Sequence, residues 1–208
     1  LSAGTLKVVP SPLLGMCLKL TDEPASSFQG NLIATYTEVG DLHRSESSQP
    51  LLLHAATLAL CITHALMKGR LKFGARGWCS PPAFAISDLR HSITLVHDRL
   101  EHFGDLPLAE VRYLVSEIIY GGHLAVQWDR RLCNAVVDRC LTHATLHEGA
   151  EFFAGFPLPS TPSLPPSSSA PSGGPGSIEE CVARINGMLE GHHERPSIFG
   201  LSDDTEAF

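Results

Sequence analysis

The sequence predicts a mainly α-helical bundle, with a short α/β portion at the N-terminus and a Pro/Ser/Gly linker before one last helix. Three observations predict it. Between about residue 50 and residue 143, apolar residues recur in steps of three and four, the spacing of a helix face. Glycines and prolines fall between these stretches rather than inside them. The segment "FPLPSTPSLPPSSSAPSGGPGS", 156–177, has too little apolar surface to order itself.

The N-terminal forty residues read as mixed structure. "TLKVV" and "MCLKL" are short strand-like runs, with a helical turn in "PSPLLG" between them. "TDEPAS" is a turn, because Pro24 disfavours helix at Glu23. "SFQGNLIATYTEV" predicts a short helix, and the polar "GDLHRSESSQ" a connection.

"LLLHAATLALCITHALM", 51–67, predicts a helix ending near Gly69. His54, Thr57, Cys61, His64 and Lys68 lie on one stripe of an otherwise apolar girth, the pattern of a mostly buried core helix. The run also falls short of a dependable membrane span. "KFGARGWCSPPAF", 72–84, is expected to be a structured loop pinned to the core by Phe73, Trp78 and Phe84.

"ISDLRHSITLVHDRLEHF" follows, with Ile86, Leu89, Ile93, Val96, Leu100 and Phe103 on one face. Ser87 or Asp88 is the expected N-cap, and Gly104 the stop. In "LPLAEVRYLVSEIIYGG", Pro107 suits a first turn, and Leu108, Val111, Leu114, Val115 and Ile118 supply the apolar face. Gly121 and Gly122 are expected to end that helix through a left-handed cap. A helix from about 124 to 143 would bury Trp128, Leu132, Val136 and Cys140. Beyond the linker, "SIEECVARINGMLEG" carries a capping box, Ser177 with Glu180, and a stripe of Ile178, Val182, Ile185 and Leu189.

The bulk numbers narrow the function. The 208 residues suffice for one or two modest domains, and 43% of them are hydrophobic. A net charge of −7 argues against a general nucleic-acid binder, and no segment interleaves basic and aromatic residues. The six cysteines form no CxxC pair and fall mostly in predicted helices, as in a reduced intracellular protein. No basic-plus-apolar signal peptide pattern opens the given residues, and the leading Leu1 reads as the start of a processed or cropped piece of something longer.

Catalytic devices are missing. A phosphate-binding loop needs GxxxxGK[ST]; the nearest approach, Gly69 to Gly74, continues with Ala75 and Arg76 and follows a helix. Cys133, Cys140, His143 and His147 could share a helical stripe, but 133 and 147 would then stand about 21 Å apart along the axis. "HATLH" lacks the glutamate of HExxH. No GxSxG elbow occurs, and the pairs Glu179–Glu180 and Asp203–Asp204 read as solvated surface. The expected metal content is none.

"YGGHLAVQWDRRL", 120–132, reads as a helix–helix corner. Glycines turn, Trp128 packs, Asp129 suits the positive end of the new helix, and one of Arg130 and Arg131 reaches back toward Glu117.

The same residues carry a resemblance. "LPLAEVRYLVSEIIYGGHLAVQWDRRL" resembles the dynein heavy chain stretch IPWxALRYLxGEIxYGGRVxDxWDRRLL. "THALMKGRLKFGARGWCSPPAFAISDLR", "LKLTDEPASSFQGNL" and "RPSIFGLSDDTE" resemble further family segments in the same order. The wording around FGxxGW and YGG leans toward axonemal dyneins.

The resemblance implies the sixth AAA+ module of the ring. Residues 1–40 would end its α/β part, 41–147 form its helical lid, 148–176 a largely disordered linker, and 177–208 the start of the C-terminal domain. It implies a structural role with no nucleotide site in the segment, ATP and magnesium acting elsewhere in the parent chain. The implied partners are neighbouring AAA+ modules, the C-terminal domain, dynein complex subunits and, through the parent chain, microtubules, in the cytoplasm and the axonemal cytoskeleton of cilia. No nucleic acid or membrane is implied. The residues carried over as structural are Phe73, Gly77, Trp78, Ser87, Asp88, Tyr113, Glu117, Tyr120, Gly121, Gly122, Trp128, Asp129 and Arg130. This chain departs from the motifs at Gly69, Cys79, His123 and the "PPAF" loop. The competing readings are a free-standing helical interaction module or adaptor, and a histidine-dependent metal hydrolase.

Overall fold

Helix α1, Phe28–Val39, opens the structure, a computed structural model that describes residues 27–40, 42–43, 46–147, 151–153, 156–157, 182–183, 196–202 and 204. Ser27 caps α1, its Oγ accepting the Gly30 N–H at 2.8 Å. Phe28, Leu32, Tyr36 and Val39 are buried at helical spacing. The strand-like runs before residue 27 and most of the expected linker lie outside the described residues. So does the capping box at Ser177; of the expected last helix, Val182 and Ala183 are described, and both are helical.

Helix α2, Pro50–Gly69, is the central element. It is longer than the apolar run suggested, and by length and composition it could cross a membrane. Length therefore does not decide the matter. Burial does, because α1, α3, α5 and the later helices cover nearly its whole girth. Two histidines of its polar stripe, and Thr63 beside it, bond inside the bundle, while His64 Nε2 is buried without a hydrogen bond. The Tyr36 hydroxyl and His54 Nε2 are 2.6 Å apart, His64 Nδ1 lies 2.9 Å from the Tyr120 hydroxyl, and Thr63 donates to the Ala59 carbonyl. Each hydrogen bond offsets the cost of placing a polar group in the core.

A short 3₁₀ segment, Arg70–Arg76, leaves α2 and turns at Gly74, whose φ of 53° suits glycine. Helix α3, Ile86–Phe103, buries Leu89, Ile93, Val96 and Leu100 as its spacing predicts, and stops at Gly104 with φ 72°. Phe103 departs from the prediction and is exposed. The N-cap is Ala85, neither Ser87 nor Asp88. Asp88 sits three residues in and reaches back, its carboxylate accepting the Ala85 N–H at 2.9 Å, while Ser87 is exposed.

Helix α4 covers Leu108–Tyr113 and then widens into a π-helix, Leu114–Ile119. The Tyr120 N–H donates to the Val115 carbonyl, five residues back, at 3.0 Å. That wide turn places Val111, Val115, Ser116 and Tyr120 on the inner side and leaves Tyr113 and Ile118 outside. The next step, Gly121–His123, is a 3₁₀ turn. Neither Gly121 nor Gly122 has a positive φ, so the expected left-handed cap does not form.

Helix α5 spans Gln127–Cys140, shorter than predicted, and α6 covers His143–His147 after a break at Leu141–Thr142. The buried line of α5 is Asp129, Cys133, Val137 and Cys140, one position on from the predicted line at its first three places. Residues Glu151–Phe153 (β1) and Phe156–Pro157 (β2) pair antiparallel at the start of the stretch expected to be linker. The Pro196–Phe199 turn returns to the bundle. The Phe199 ring packs edge-on to Phe28 at 6.0 Å and against Phe73 at 5.4 Å.

Candidate functional site

A set of largely buried polar contacts gathers where α2, the 70–85 loop, the N-terminus of α3 and the α4–α5 turn meet. Arg70 begins it. The guanidinium is buried; Nε donates to the Gly77 carbonyl at 3.1 Å and Nη1 to the Phe199 carbonyl. Burial pushes its pKa down and the nearby Asp129 charge pushes it back up. Gly77 packs against this arginine's backbone so closely that a Cβ would overlap the Arg70 carbonyl.

Trp78, 2% exposed, fills the space between α2 and the loop, its indole N–H donating to the Met67 carbonyl at 3.0 Å. Its ring meets Phe84 edge-on at 5.4 Å, and Phe84 meets Tyr120 at 5.3 Å. The aromatic chain ends at the Tyr120–His64 hydrogen bond. Phe73 is buried on the other side of the loop, as predicted.

Asp129 closes the joint. It is buried at the first turn of α5, and its two oxygens accept the backbone N–H groups of Cys79 at 2.9 Å and Ser80 at 3.1 Å. One carboxylate so satisfies the loop's amides while facing the positive end of its own helix. Asp88, the parallel acid on α3, bonds Ala85 and lies 3.2 Å from His123 Nε2.

The structure brings Phe73, Gly77, Trp78, Asp88, Tyr120, Gly121 and Asp129 into or beside this joint. It does not bring all the predicted residues together. Trp128 does not pack inward: it is 67% exposed, with the Arg131 guanidinium 4.9 Å over its ring. The reason is that Asp129, one residue on, takes the inward position. Tyr113, Gly122 and Ser87 are also exposed. Glu117 accepts from Asn134 Nδ2 at 2.5 Å, and Arg130 Nε donates to the Leu124 carbonyl at 3.0 Å, so no arginine–Glu117 tie is made. Sequence reasoning missed Arg70 and Phe199, and it placed His64 on the polar stripe of the core helix without its Tyr120 partner; a lone arginine after a glycine gives no sign that it will be buried.

A family model described as the dynein heavy chain AAA lid domain matches residues 53–205. This chain belongs to the dynein heavy chain AAA lid family. It is 32% identical over 152 residues to human dynein axonemal heavy chain 9, covering 73% of this chain and 3% of that protein. The ciliary dynein beta chain of Heliocidaris crassispina is 30% identical with the same coverage. The flagellar outer-arm dynein alpha chain of Chlamydomonas reinhardtii is 27% identical over 68% of this chain and 3% of its own length. The chain thus spans a small part of the dynein heavy chains it matches.

The dynein lid helices leave a cavity of about 240 Å³ between α2, α5 and the 196–200 turn, lined by Leu66, Arg70, Leu132, Val136, Arg139 and Phe199 among others. It holds no carboxylate or histidine among the described residues. The Cys140 thiol at its wall is pushed up to about 12 by burial, as is Cys133 nearby, so neither supplies a thiolate near neutral pH. His64 is lowered to about 4, first by burial and then by Lys68, with Asp88 opposing. A neutral imidazole held by Tyr120 deep in the dynein lid serves the core.

Proposed function

We propose that this lid is a structural segment of an axonemal dynein motor ring, in the sixth AAA+ module, with no nucleotide site and no catalysis of its own. The observation that carries this reading is the occupation of the joint. Asp129, Asp88, Arg70 and Tyr120, the groups best placed for chemistry, each hold a backbone or side-chain partner inside the fold. The sequence also lacks a phosphate-binding loop. ATP, magnesium and microtubules would be engaged elsewhere in the parent heavy chain, and the lid would bear on neighbouring AAA+ modules and the C-terminal domain. The relatives named axonemal, ciliary and flagellar support a place in the dynein complex of the ciliary axoneme.

Nucleotide titration tests this. With Mg-ATP at millimolar concentration, the 208-residue chain should show neither fluorescent-nucleotide binding nor phosphate release. Stoichiometric binding or turnover by the chain would overturn the reading.

A further inference from the structure

The loop between α1 and α2 is fastened to α3 by an unusual set of side chains. His43 adopts φ 57°, the one positive φ outside glycine among the described residues, and so holds its ring in a backbone conformation that few side chains adopt. That ring stacks on His97 of α3, centroids 4.6 Å apart and planes 18° from parallel. Its Nδ1 lies 3.2 Å from the Glu46 carboxylate, and its Nε2 lies 3.1 Å from Thr94 Oγ1.

His97 supplies the second observation. Both of its ring nitrogens are buried, and neither has a hydrogen-bond partner. The nearest acid, Asp98, is 3.6 Å from its Nδ1 and mostly exposed. Buried imidazole nitrogens without a hydrogen bond are costly in a folded protein and call for a ligand. One ligand atom from each of His43, Glu46 and His97 falls within 4.8 Å of the others. Each imidazole lone pair lies in its ring plane, so binding one ion turns the two rings out of their stack and draws such atoms to the ~3.3 Å that tetrahedral bonds of about 2 Å impose.

We propose that His43, Glu46 and His97 form a zinc site that staples the α1–α2 loop to α3. Two imidazoles and one carboxylate suit Zn²⁺ and disfavour Mg²⁺ and Ca²⁺, which prefer oxygen ligands. The Thr94 hydroxyl acts from behind. In the tautomer that donates Nε2–H to Thr94, His43 presents its Nδ1 lone pair on the side of Glu46. Water or Asp98 completes the coordination. The site is remote from the Asp129 joint and stands or falls separately from the nucleotide-free reading. It revises the expectation of no metal, which rested on clusters along single helices; His43 and His97 are too far apart in sequence to show a spacing.

The test uses the 208-residue chain without a histidine tag, stripped with chelator and titrated with ZnCl₂. Bound metal is measured after gel filtration, and melting is followed with and without zinc. The expected result is one zinc per chain, a melting temperature that rises with zinc, and a d–d spectrum on CoCl₂ substitution. Glu46→Gln alters a largely exposed side chain, leaves the metal-free helical signal unchanged and weakens zinc binding at least tenfold. His97→Asn abolishes binding, while His91→Gln, on the exposed face of α3, retains it. Absence of stoichiometric zinc in the wild-type chain, or full binding by Glu46→Gln or His97→Asn, would overturn the site.

Discussion

Asp129 and Cys79 are bound across the joint: the Asp129 carboxylate accepts the Cys79 backbone N–H at 2.9 Å and, through its second oxygen, that of Ser80. A loop with two glycines and two prolines gains a fixed shape from an acid that lies about fifty residues away in sequence.

Removing that acid should be among the most damaging single changes. Asp129→Ala leaves two loop amides without a partner and is expected to cost about 3 kcal/mol in urea unfolding. Asp129→Asn keeps one acceptor and should cost less. Equal stability of Asp129→Ala and wild type would show that the clasp contributes nothing.

The paired glycines should behave differently from each other. A Cβ at Gly121 would lie 2.6 Å from the Ser116 carbonyl, a backbone atom that cannot swing away, whereas one at Gly122 meets nothing within 4 Å. Gly121→Ala should lose about 2 kcal/mol or more in thermal melts. Gly122→Ala should be neutral or slightly stabilising, because it restricts the unfolded chain.

His64 should make the chain acid-sensitive. Its folded pKa, about 4, lies below the ordinary 6.5, so between those values the unfolded chain binds a proton that the folded chain refuses. Stability is therefore full above about pH 6.5 and falls as pH drops toward 4, by on the order of 3 kcal/mol. His64→Gln should flatten the slope of unfolding free energy over that window. An unchanged slope would place the titration elsewhere.

The two tryptophans give a contrast of burial. Trp78→Ala should cost about 4 kcal/mol, as expected for a buried ring whose N–H is bonded. Trp128→Ala should change the melting temperature little, because its ring faces solvent.

Much of the helical frame was legible in the sequence. The stripe from Leu89 to Leu100 and the polar line of α2 follow from spacing alone, because a helix repeats every 3.6 residues. The pinning of the loop by Phe73, Trp78 and Phe84 followed from large apolar residues in a segment unable to be regular. Asp129 is buried for its hydrogen bonds, which carry no hydrophobic signal, so α5 was read one residue out of phase and Trp128 placed inside. The π-turn before Tyr120 was hidden in the same way, since a single wide turn leaves composition unchanged. Long-range pairs such as His43 with His97, or Arg70 with Phe199, exist through tertiary packing and have no local signature.

The most direct measurement is microtubule gliding by an axonemal dynein heavy chain whose own lid is replaced by this one. With the wild-type lid, ATP-driven gliding should persist near the parent's speed. With Asp129→Ala, in a chain that still assembles, gliding should slow severalfold while the parent's nucleotide sites remain intact. Unchanged gliding in the Asp129→Ala chimera, with the loop shown to be released by hydrogen exchange at Cys79 and Ser80, would contradict the account.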